Sequence, residues 1–136
     1  MITVETTIYA TIEKVWIFWT RPEHIIQWYF ASDDWCAPLA ENDLRVGGRF
    51  KTTMASKDGS ISFDFSGEYT EVKPGECIAY LLDDNREVIT TFVNTPFTVI
   101  INQSFEAEET HPRQMQQEGW QSILNNFKKY VESQGD

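Results

Sequence analysis

Residues 116–131, QQEGWQSILNNFKKYV, decide how this chain is read. Trp120, Ile123, Leu124, Phe127 and Val131 recur at helical spacing and form one apolar stripe on a helix expected from about 111 to 133. Burying five such side chains contributes at most about 8 to 15 kcal/mol, so the helix must lie against a large apolar surface. At about 1.5 Å per residue it reaches about 30 Å, enough to cross a small sheet. Gly119 interrupts the pattern, although glycine inside a helix costs about 1 kcal/mol relative to alanine. Either it permits close packing or a bend there, or it leaves room beside Trp120 for a molecule other than the chain itself.

The surface for that helix is supplied upstream. LRVGGRFKTTMA (44–55) places Leu44, Val46, Phe50 and Met54 on one face of a strand, with a bulge expected at Gly47-Gly48. ISFDFSGEYTEV (61–72) turns Ile61, Phe63, Phe65 and Tyr69 inward and Ser62, Asp64, Ser66 and Glu68 outward. Asp58-Gly59 between them is a two-residue hairpin signal, and Lys73-Pro74-Gly75-Glu76 has the residues of a type II turn. ECIAYLL (76–82), the polar turn DDNR (83–86), EVITTFVN (87–94), a break at Thr95-Pro96 and FTVIINQSFE (97–106) complete five consecutive strands. Short connections of this kind make an antiparallel meander.

The N-terminal third adds one strand and two helices. Residues 2–9 alternate with a period of two, and from Thr11 the spacing of Ile12, Val15, Trp16 and Trp19 becomes helical, with Thr11 as cap. Pro22 ends that helix and opens a short second one, PEHIIQW (22–28). FASDDWCAPLAEND (30–43) shows no period and is expected to be a loop. At the start of the last helix, Pro112 suits the first position, with His111 and Gln114 placed as a cap and its partner. The fold expected is therefore α+β, ordered β-α-α-β-β-β-β-β-α: a curved antiparallel sheet of about six strands around a long C-terminal helix, in a single domain, 1–136.

Composition narrows the function. A net charge of −10 repels phosphate backbones and anionic headgroups, so neither nucleic acid nor a membrane is an expected partner. No segment has the character of a signal peptide or a spanning helix, and a cytoplasmic location is expected. Cys36 and Cys77 lie far apart without a CxxC pattern and are read as reduced side chains. His24 and His111 have no ligand-like neighbours at metal spacing, so no metal and no cofactor are expected. The 9 Phe, 5 Trp and 5 Tyr exceed what a core of this size requires, and a twisted sheet gripping one helix leaves a concave space for them to line.

Four stretches resemble the SRPBCC superfamily, with its START-like or helix-grip fold: KVWIFWTRPEHIIQWYF (14–30), DLRVGGRF (43–50), DGS with GEYTEVKPGECIAY (58–60 and 67–80), and QQEGWQSILNNFKKYVE (116–132). Within it the similarity is to the branch homologous to the C-terminal domain of the activator of heat-shock protein 90 ATPase. VNTPFTVIINQSFE (93–106) departs from the glycine-rich turn of that branch. The resemblance implies the fold throughout the chain. Its co-chaperone namesake also uses a separate N-terminal domain, which this chain is expected to lack, so the chaperone role is not carried over with the fold.

Pattern and resemblance together give Trp19, Trp28, Phe50, Phe63, Phe65, Tyr80, Phe92, Trp120, Leu124 and Phe127 as the expected lining of a cavity for a small apolar or aromatic molecule. Trp28-Tyr29-Phe30 is read either as a gate to that cavity or as a plug. The acids Asp33, Asp34, Asp64 and Glu68, and His24, are expected on solvated surfaces, and no catalytic residue is assigned. Non-enzymatic binding by a monomer or homodimer is the first expectation. The alternatives are a protein-interaction module with a chaperone partner and a cyclase-like enzyme on the same architecture.

Overall fold

The computed structural model describes residues 1–134. Its elements are β1 (Ile2–Ile8), α1 (Ile12–Thr20), α2 (Pro22–Ile25), β2 (Trp35–Asn42), β3 (Arg49–Ser56), β4 (Ser62–Lys73), β5 (Cys77–Leu82), β6 (Glu87–Asn94), β7 (Val99–Phe105) and α3 (Arg113–Ser133). One antiparallel sheet has the order β1-β7-β6-β5-β4-β3-β2. The helix-grip architecture expected from the sequence is thus present, with seven strands rather than about six.

The added strand is β2, which falls where a loop is expected. It pairs with β3 from Trp35↔Ser56 to Asn42↔Phe50, with a register shift between Cys36 and Leu39. Pro38 sits in that irregularity on the sheet's edge, where a missing N–H is tolerated. The slip resets the inward and outward phase within eight residues, and that erased the alternation.

Three local expectations are also corrected. Between Asn42 and Arg49 the chain forms a turn rather than a bulged strand: Gly47 has φ +83°, a Cβ at Gly48 would lie 2.1 Å from the Asp43 carbonyl oxygen, and Val46 is exposed. At Asp58-Gly59 only the glycine has positive φ. The Asp58 carboxylate accepts from Ser56 Oγ, Ser60 N and Ser60 Oγ, which builds a longer loop closed by its own side chain. Helix α3 begins one residue after Pro112, which occupies the cap position itself. His111 turns away to Glu108, and Gln114 bonds Glu118. The Lys73–Glu76 turn forms as expected, with Gly75 at φ +76° and Glu76 N donating to Lys73 O at 2.9 Å.

Helix α3 is registered against the free edge of β1. Gln117 Nε2 donates to Thr3 O (3.4 Å), and Gln121 bonds both Glu5 O (3.0 Å) and Glu5 N (3.4 Å). Lys128 Nζ donates to Thr7 O (2.6 Å), and Glu132 Oε2 accepts from Tyr9 N (2.9 Å). Positions 117, 121, 128 and 132 share one helix face. The register holds because 15 helical residues rise about 22 Å while the six steps from Thr3 to Tyr9 span about 20 Å. On the next face Leu124, Phe127 and Val131 are buried against the sheet. Replacing Gln121 by Ala removes the paired contacts to Glu5. A loss of about 1 kcal/mol in urea unfolding is expected, with faster hydrogen exchange at the Glu5 amide.

Candidate functional site

The space between sheet and helix is filled in its middle and open at one end. Trp28 and Phe127 are fully buried, and Trp19, Trp28 and Phe127 meet edge-on or tilted at ring-centroid distances of 4.7 to 5.0 Å. Phe92 closes the same cluster through Trp16 and Trp19. Trp28 is oriented by its indole N–H, which donates to Phe18 O at 3.0 Å. These rings are therefore core.

Toward the N-terminal end of α3 the filling stops, and a pocket of about 420 Å³ opens. Met115, Gln116, Gly119, Trp120 and Ile123 form its helical wall, and Phe63 and Phe65 on β4 with Met54 on β3 form its floor. Residues Tyr29 to Ser32 and Trp35 close one side, while Arg86, Glu108 and His111 stand at the other. Trp120 is held flat against Phe105, with centroids 3.9 Å apart and planes 10° apart, and meets Phe65 edge-on. A Cβ on Gly119 would meet nothing within 4 Å, so this glycine borders open space and is not there for close packing.

Of the ten residues expected to line a cavity, Phe63, Phe65 and Trp120 border this pocket. Trp19, Trp28, Phe50 and Tyr80, together with Phe65, border a second, deeper space of only about 40 Å³. Tyr29 and Phe65 touch both spaces and separate them. Phe92, Leu124 and Phe127 border neither and are packed solid, because the apolar stripe that docks a helix on a sheet is the part least able to leave a gap. The lining lies one face away on α3, at Gln116, Gly119, Trp120 and Ile123. Their own i, i+3, i+4, i+7 spacing was the available signal. The alternation of residues 44–55 turns Met54 inward as well, whereas no periodicity marks Arg86, Glu108 or Met115 as lining residues.

The deeper space is ringed by hydroxyls. Tyr69 OH donates to Asn42 Oδ1, whose Nδ2 donates to Thr20 O at 2.6 Å. Burial raises the pKa of Tyr29, Tyr69 and Tyr80, so all three stay neutral. At the pocket rim, burial works to raise the Glu108 pKa. Hydrogen bonds from the His111 backbone and imidazole, with the positive charge of His111 when it is protonated and that of Arg86, outweigh it and hold the carboxyl below its usual range.

The acids named from sequence stay outside: Asp33, Asp34, Asp64 and Glu68 are exposed and none borders the pocket. His24 stacks on Phe18 at 4.0 Å and bonds Tyr130 OH at 2.8 Å, away from the pocket. Among the described residues no group of three or more His, Cys, Asp or Glu side chains is placed to hold a metal. A larger hollow of about 850 Å³ lies between the start of β1 and α3, but its lining is mainly polar, with Gln117 and Gln121 already bonded to β1.

The sequence matches the family described as Activator of Hsp90 ATPase homolog 1-like protein over residues 9–132. The chain belongs to that family. The solution structure of an AHSA1-like protein from Aeromonas hydrophila is similar at 42% identity and TM-score 0.89, covering 96% of this chain and 92% of that one. A Cytophaga hutchinsonii protein is 55% identical, with TM-score 0.84, over 97% of this chain and 92% of that one. A Nitrosomonas europaea protein at 18% identity and TM-score 0.79, with 97% and 95% covered, shares the fold. No curated protein matches the sequence.

Three substitutions distinguish core from pocket lining in this family member. Gly119→Ala is expected to raise stability by about 1 kcal/mol, the helix propensity gained without a clash. Thermal or urea unfolding measures it. Trp28→Ala is expected to cost about 3–5 kcal/mol, and Phe63→Ala, at the half-exposed pocket floor, under about 1 kcal/mol; the same unfolding curves separate core from lining.

Proposed function

We propose that this protein binds a small, largely apolar or aromatic molecule in the pocket between α3 and β4, without transforming it. The observation that carries the reading is Gly119: a helix interior gives up stability to a residue that faces empty space, in the wall of an aromatic-lined pocket. The pocket has a size and character suited to a bicyclic or similar guest, with apolar walls and a few polar groups at one end. One chain supplies every wall, so a monomer suffices. Both cysteines are free, which fits a reducing compartment such as the cytoplasm.

The family name refers to activation of a chaperone ATPase. That role belongs to the namesake, and the pocket geometry speaks for a guest molecule instead. A cyclase-like reaction would have to use His111 and Glu108, the histidine–carboxylate pair at the rim, where the imidazole is more than half exposed.

The test is a fluorescence titration with N-phenyl-1-naphthylamine, an uncharged aromatic probe. Saturable binding by the wild type is expected, and Gly119→Leu, which fills the pocket from its own wall, is expected to weaken it at least about tenfold, the equivalent of about 1.4 kcal/mol. Recovery of the probe unchanged, read by mass spectrometry, supports binding without turnover. Absence of saturable binding by the wild type, or equal binding by Gly119→Leu, overturns the reading.

A further inference from the structure

The polar end of the pocket has a defined hydrogen-bond character. The segment between β7 and α3 is fixed by Gln116, a buried side chain whose Oε1 accepts from Glu108 N (2.9 Å) and whose Nε2 donates to Glu108 O (3.0 Å) and His111 O (2.8 Å). Within it, Glu108 Oε1 receives His111 N at 2.6 Å and lies 2.9 Å from His111 Nδ1. An ionised carboxylate only accepts hydrogen bonds, so Nδ1 must carry the ring proton. In the neutral imidazole that leaves Nε2 as a bare acceptor. The carboxylate therefore sets which kind of partner the other ring nitrogen takes.

The remaining charges at this rim do not favour an anionic guest. Arg86 Nε is paired with Asp84 at 2.7 Å, its Nη1 donates to Glu106 O at 3.5 Å, and Glu108 is close enough for the guanidinium to lower its pKa. A carboxylate head would meet a cation already neutralised and a second carboxylate beside it. A neutral O–H donor would find in His111 Nε2 an acceptor on a residue that lines the pocket.

Resting on the pocket reading above, we propose that His111 Nε2 selects, among apolar guests, those carrying a neutral hydroxyl donor of the phenol or enol class. The walls then provide affinity for the ring system, and His111 provides discrimination between a hydroxyl and its ether. His111 is a binding residue here and moves no proton.

The experiment is calorimetric or fluorescence binding at pH 8 with 2-naphthol, 2-methoxynaphthalene and 2-naphthoate. Relative to the His111→Phe variant, the wild type is expected to favour 2-naphthol over 2-methoxynaphthalene by about three- to tenfold, the range of one neutral hydrogen bond. The naphthoate is expected to bind most weakly. Glu108→Ala, which removes the acceptor that holds the ring proton on Nδ1, is expected to weaken or abolish the preference. Nitrogen-15 chemical shifts of His111 report that proton directly, whether or not a guest is bound. If both naphthalenes bind and their ratio is the same in wild type and His111→Phe, the hydroxyl selection is overturned while the pocket stands. If His111 carries its proton on Nε2, the selection is overturned on structural grounds. If none of the three binds, the pocket reading falls with it.

Discussion

The position of α3 on β1 is the constraint on which the rest depends. A sheet strand at an edge presents unpaired N–H and C=O groups, and here helix side chains at four positions satisfy them along most of the strand's length. Because β1 in turn pairs with β7 from Ile2↔Phe105 to Ile8↔Val99, the two ends of the chain are fixed to one another through the same sheet edge. The helix can neither slide along its axis nor rotate without breaking several of these bonds together. That register sets which residues of α3 face the sheet over the packed half and which face it over the open half.

The open half follows from where the large rings come from. Trp19 and Trp28 are carried by α1 and the turn after α2, and they reach Phe127 in the C-terminal half of α3. Around Gly119 the rings of Tyr29, Trp35, Phe63 and Phe65 line the space without filling it. Trp120 borders the gap but is held flat on Phe105, and Phe63 at the floor remains half exposed. The cavity is thus a consequence of one glycine and one indole held against the sheet.

Much of the fold could be read from periodicity because its elements are regular. The alternation of Val88, Thr90 and Phe92, or of Val99, Ile101 and Phe105, shows which face is buried, and the spacing of Leu124, Phe127 and Val131 shows the docking stripe. Strand β2 could not be read this way, since its register slips at Pro38 and the alternation resets. The site was harder for a different reason. Periodicity reports which residues are buried, and a cavity wall and a packed core are buried alike, so Phe92, Leu124 and Phe127 carried the same signal as Phe65. What distinguishes them is whether another ring arrives from a distant element. At Gly119 local energetics flagged a helix former traded for a glycine, but close packing, a bend and room for a guest carry the same sequence signal, and only its surroundings separate them. Arg86, Glu108 and His111 meet only because the β5–β6 turn and the segment after β7 lie at the same end of the sheet, a proximity set by topology.

The two borders of the sheet are treated differently, with a bearing on self-association. One border is occupied by glutamine, lysine and glutamate side chains of α3. The other, β2, is the strand that remains for another chain to extend. There the slip between Cys36 and Leu39 divides the hydrogen-bonding groups into two short runs, and Pro38 contributes no donor between them. A second copy approaching in register would find no continuous template along β2, the kind of broken edge that disfavours edge-to-edge pairing of sheets.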